Sequence, residues 1–119
     1  MFYFNRNRSE NLLLQQRQQY RSFAYDGIKD LIENGIELLN KSHATNNSSY
    51  SGVFDNWIEY SQKIVELCTK NFDTNIYLNY LRFLLDINRS YGYVGSADIK
   101  VKQCLEYLVK VLSMINNSQ

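Results

Sequence analysis

Residues 53–70 read VFDNWIEYSQKIVELCTK, and the spacing of apolar side chains in this stretch decides the fold class. At about 100° per residue, Phe54, Trp57, Ile58, Ser61, Ile64, Val65 and Cys68 gather on one face. Asp55, Glu59, Lys63, Glu66 and Lys70 fall on the reverse face. A half-buried strand would alternate at every second residue. A repeat of three to four is instead the pattern of an amphipathic helix with one face to bury. Trp57 heads the apolar face, so it is expected in the core, against at least two other helices.

The same period extends to either side. Residues 26–41, DGIKDLIENGIELLNK, set Ile28, Leu31, Ile32, Leu38 and Leu39 opposite a narrow stripe of Asp26, Asp30, Glu33 and Glu37. Residues 73–89, DTNIYLNYLRFLLDINR, carry Ile76, Tyr80, Phe83, Leu84 and Ile87 on one stripe, with Asp73 or Thr74 as N-cap. Tyr77, Leu78, Leu81 and Leu85 continue that apolar surface around more than half the circumference. The last periodic segment, 97–115, turns Val101, Cys104, Leu105, Leu108, Val109, Leu112 and Ile115 inward, with Ser96 or Asp98 able to cap it. Between these segments lie a polar loop, NKSHATNNSSYSG (40–52), and a glycine-punctuated connector, SYGYVGS (90–96). Strand-like alternation and repeats of solenoid length are absent. A chain of 119 residues supports one domain with a real core. The expectation is an all-α fold: an antiparallel bundle of four helices, the first one long or kinked into two.

That first helix begins in NRNRSENLLLQQRQQYR (5–21), with Ser9 as N-cap, Glu10 in its first turn and residues 1–8 as a flexible N-terminus. Nothing up to Asn40 forces a break, although Gly27 and Gly35 each weaken the helix by roughly 1 kcal/mol relative to alanine. A continuous helix of that span would be roughly 48 Å long, about twice the others. Half of it would overhang the bundle unless it bends near Tyr25–Gly27.

Formal charge is only +1, but it is unevenly spread. Residues 1–25 hold four arginines against Glu10, for +3, whereas residues 26–60 hold six acids against Lys29 and Lys41, for −4. The remainder holds seven bases against five acids, for +2, which closes the sum. A chain that is 45% hydrophobic and 21% charged belongs with soluble globular proteins rather than disordered ones. No export signal and no window of roughly 20 apolar residues occur, so a cytoplasmic, reduced protein without a membrane role is expected. Cys68 and Cys104 then act as small buried hydrophobes, without a disulfide. Ten tyrosines and only three alanines suit AT-rich coding, as in low-GC bacteria, their phages and mobile elements.

Catalysis finds no support in these residues. His43, the sole histidine, stands in the polar loop with no cysteine or carboxylate beside it. The acids at 26, 30, 33 and 37 face away from the apolar side and have no histidine among them, unlike inward-pointing carboxylate metal sites. No phosphate-binding glycine loop or HExxH element is present. No catalytic, metal or cofactor residue is therefore assigned. The expected function is non-enzymatic macromolecular binding, most simply a protein–protein interaction of an inhibitor or accessory factor. The candidate partner-binding residues are Leu12, Leu13, Arg17, Tyr20 and Arg21 on the first helix, with Leu78 and Leu85 on the third. Arginine and tyrosine around an apolar centre suit a protein interface. The alternative is a small nucleic-acid-binding protein using the basic N-terminal helix, for which four arginines support weak, salt-sensitive contact. Membrane adhesion would need more lysine and a longer apolar moment. Two bare apolar surfaces, one around Leu12, Leu13, Tyr20 and Phe23 and one at Leu78 and Leu85, should bury each other. They would do so within one chain by a bend at Gly27, or between two chains in a homodimer.

Overall fold

The computed structural model describes residues 2–45, 50–90 and 97–118, with side chains for 10–43, 50, 52–90 and 97–118. Four helices hold these residues: α1 (Phe2–Thr45), α2 (Tyr50–Thr69), α3 (Thr74–Ser90) and α4 (Ala97–Asn117). Among the described residues there is no strand.

The direction of each helix follows from a few contacts. Gly27 of α1 lies against Cys68 and Gly35 lies against Trp57, so numbers fall along α2 as they rise along α1. Gly35 also meets Leu105, while Arg21 bonds the carbonyl of Ser118, so α4 likewise opposes α1. A tight turn over 70–73 reverses the chain from α2 into α3. Asp73 caps α3 by accepting from the backbone N–H of Asn75 at 2.9 Å. The bundle is thus antiparallel between sequential neighbours. α2 and α4 pack on each other and on both remaining helices, which leaves α1 and α3 at opposite corners without close approach.

α1 is one uninterrupted helix of 44 residues, roughly 66 Å long, and it accounts for the 68 Å long axis of the molecule. Of the two expectations, long or kinked, the long helix is the one observed, and Gly27 introduces no break. The helix also extends further at both ends than the sequence implied. It starts at Phe2 instead of at a Ser9 cap, so residues 2–8 belong to it, and it runs to Thr45. The polar loop expected over 40–52 is correspondingly shorter, because α2 already begins at Tyr50. No proline or glycine interrupts residues 36–45. Glu37 and Lys41 pair at 3.0 Å and the Ser42 hydroxyl bonds the Leu39 carbonyl, which holds these polar turns in the helix. His43 is consequently an exposed residue of the last turn of α1. The remainder of that loop and the 90–96 connector beyond Ser90 lie outside the described residues, as do Tyr91, Tyr93 and Ser96.

The core takes the faces that periodicity assigned. Ile28, Leu31, Ile32, Leu39, Phe54, Trp57, Val65, Ile76, Tyr80, Leu84, Val101, Leu108 and Ile115 are buried together. One assignment is corrected: Val109 is exposed, and Val111 takes the inward place. Relative to Cys104 and Leu108, Val111 turns back towards the centre of the apolar face and Val109 turns away from it. Tyr25 and Tyr50 pack on the edge of the core. Cys68 and Cys104 are both buried and free.

Candidate partner-binding surfaces

The bundle ends, on one side, where α2 turns into α3 and where α4 stops. We call this end the floor. Arg21 marks its level on α1, because its guanidinium bonds the Ser118 carbonyl. The first 19 residues of α1, Phe2–Tyr20, therefore run past the floor for roughly 28 Å. Every described side chain from Glu10 to Gln19 is exposed. Leu12, Leu13 and Leu14 are 58%, 64% and 66% exposed, and Phe23 is 57% exposed.

Consecutive leucines sit about 100° apart, so the triplet cannot serve one face. The core seam of α1 follows a three-and-four spacing through Gly35, Leu31, Ile28 and Ala24. Continued towards the N-terminus, it passes through Arg21 and Arg17 to Leu14, with Leu13 beside it. These residues face the space beneath the floor. Leu12 and Phe23 lie further round, on the side that also carries Asp26 and Asp30. Tyr20 is half-buried, and its hydroxyl accepts from Gln16 Nε2 at 2.9 Å. Arg17 is exposed.

Arg21 has a role that sequence reasoning did not find. Its side chain stays within the chain and satisfies a carbonyl left over at the end of α4. A cation there also complements the negative end of that helix. Nothing in the sequence near Arg21 announces this partner, which is 97 residues away.

Leu78 and Leu85 form the second bare surface, 52% and 59% exposed. They lie opposite the buried residues of α3, Ile76, Tyr80, Leu84 and Ile87. Because α3 occupies the corner diagonal to α1, these leucines point away from α1. The overhang of the same chain cannot cover them, so the bend at Gly27 expected as one solution does not occur. Beside Leu78, a shallow apolar groove between α2 and α3 is lined by Glu66, Lys70, Thr74 and Tyr77. A hydrogen bond to the Glu66 carboxylate, with some burial, holds the Tyr77 phenol above its ordinary value.

Elsewhere, among the described residues, the Trp57 indole N–H is buried without a hydrogen-bond partner, whereas the other core polar groups pair with one another. Ser61 donates to the Ile58 carbonyl at 2.6 Å, which leaves its oxygen to accept from the Tyr80 hydroxyl at 2.7 Å. This pair is sealed in the core beside Cys104, whose thiol burial pushes up to about 11. The network joins α2 to α3 and opens to no substrate. Asp26, Asp30, Glu33 and Glu37 all face solvent. Among the described residues, no three His, Cys, Asp or Glu side chains converge as a metal site would require. No described helix is long and apolar enough to cross a membrane. Compared with known proteins, the chain matches no family model, no curated protein and no solved structure.

Proposed function

We propose that this protein works without catalysis, by docking another protein on the overhanging part of α1. One observation carries the reading: Leu12, Leu13 and Leu14 are more than half exposed on the stretch of α1 that runs past the floor of the bundle. Apolar side chains concentrated in this way mark an interaction site. Arg17 and Tyr20 stand beside them, as interface residues commonly do. The AT-rich coding bias favours an inhibitor or accessory factor of a low-GC bacterium, phage or mobile element.

The nucleic-acid reading rests on the same arginines and is weaker. Each phosphate contact needs its own cation, and Arg21 is already committed to α4. A tagged chain recovered from its host should retain a bound protein after nuclease treatment. Leu13→Glu with Leu14→Glu should lose that protein while the bundle stays folded. Complete loss of bound material on nuclease treatment would favour the nucleic-acid alternative instead.

A further inference from the structure

The two bare apolar strips of this molecule complement each other in a way that identifies the occupant. The overhang carries Leu13, Leu14 and Arg17 on its inner side, facing from the α1 corner towards the α3 corner. The outer side of α3 carries Leu78 and Leu85, facing onward in that same direction, away from α1. The strips also match in length: about 19 residues of overhang against 17 in α3, or roughly 28 and 26 Å.

A half-turn about an axis perpendicular to both the bundle and that direction reverses both. A second copy set floor to floor by this operation presents its α3 strip to the first overhang. The same operation lays its own overhang along the first copy's α3. We propose that the overhang docks α3 of a second copy, in a two-fold dimer with two such contacts. The inference rests on reading the overhang as a docking element. Within one chain α1 and α3 run in the same direction, so overhang and partner α3 meet antiparallel. One strip a helix diameter wide covers roughly 300 Å². A single contact between two overhangs therefore falls short of the roughly 800 Å² per partner of a standard interface. Two strips with the abutting floors between them approach it, since the molecule is 28 × 20 Å across.

Charge fits this register. Arg17, just past the floor, arrives near the start of the partner's α3, where Asp73 and Glu66 lie. Arg82 and Arg89 flank the α3 leucines and are exposed, and the overhang opposite carries Arg17 and Glu10, so the contact is chiefly apolar. Added salt should therefore not dissociate the dimer.

Light scattering on the full chain at high micromolar concentration tests this. The expected mass is twice the 14.1 kDa of one chain. Leu78→Glu with Leu85→Glu should halve it, and so should Leu13→Glu with Leu14→Glu. Circular dichroism should keep the helicity of the bundle in both, with no more than the unpartnered overhang lost, because all four positions are exposed. A wild-type monomer overturns the proposal, as does a dimer indifferent to Leu78→Glu with Leu85→Glu, or one indifferent to Leu13→Glu with Leu14→Glu. If the wild type is monomeric and still captures a host protein that the Leu13/Leu14 variant loses, the second copy is the wrong occupant and the docking reading survives.

Discussion

Gly35 shows how one absent methyl group sets the spacing of three helices. A Cβ at this position would lie 2.7 Å from Trp57 Cζ2 and 2.8 Å from Leu105 Cδ2, closer than carbon atoms approach. Gly27 is under similar pressure, with Cys68 Sγ 2.1 Å from where its Cβ would stand. In the sequence both read as weak points of a helix, each costing roughly 1 kcal/mol relative to alanine. In the folded protein they are the places where α1 approaches its neighbours. Gly35→Ala should therefore destabilise, because overpacking of about 1–3 kcal/mol exceeds the helix-propensity gain. Gly52, in the first turn of α2, has nothing within 4 Å of its would-be Cβ, so Gly52→Ala should stabilise by up to about 1 kcal/mol. Denaturant midpoints of the two variants give opposite signs on this account. A stabilised Gly35→Ala would show that Trp57 can retreat. Residue patterning could not separate these glycines, since the difference lies in atoms from other helices.

At the scale of elements, α1 is two helices in an energetic sense. From Ala24 to Leu39 it is held by α2 and α4. From Glu10 to Gln19 its backbone hydrogen bonds stand in water with no tertiary burial behind them. An isolated helix of this length is marginal, because helix formation is cooperative and most helical stability comes from packing. Amide exchange in the Leu13→Glu, Leu14→Glu variant should accordingly be fast over 10–19 and slow over 24–39. In the wild type, partner contact should slow exchange over 10–19. Uniform protection along α1 in the variant would mean that the overhang is stabilised by something other than a partner. The overhang was legible as one of two alternatives, since a count of helix lengths leaves a bend near Gly27 open. The ends were less so: start and stop signals such as Ser9 or the polar 40–45 run are weak when no glycine or proline backs them, and α1 runs through both. The choice between Val109 and Val111 turned on the exact centre of the buried face, which α1–α3 settle jointly.

The molecule as a whole stores a pH dependence in its sealed polar groups. Burial pushes the Cys104 thiol up to about 11, against 9.0 for an unperturbed thiol. Burial, then the nearby Asp30 charge, raises Cys68, and burial also raises the Tyr80 phenol above 10.0. The unfolded chain therefore releases these protons first. Above about pH 9 it binds fewer protons than the folded chain, so stability falls as pH rises through 11, by at most about 1.4 kcal/mol per unit and group. More than about one unit below pH 9 these groups add almost no slope. Melting temperature should stay level near neutrality and drop between pH 9 and 11, with a shallower drop in Cys104→Ala. A level profile through pH 11 would contradict the burial of these groups. The radius of gyration, 18.0 Å against roughly 13.5 Å for a compact domain of this length, belongs to the same scale and records the overhang. By itself the sequence determined the helix count and, Val109 apart, the buried face of each helix, because both follow from local periodicity along the chain, while it left α1 long or kinked into two. Only the tertiary structure decided that α1 and α3 stand at opposite corners, that Gly27 and Gly35 are contact points, that Arg21 reaches Ser118, and that Leu78 and Leu85 face away from their own overhang. Each of these depends on how faces far apart in the chain pair with one another, and a repeat of three to four residues carries no information about its partner.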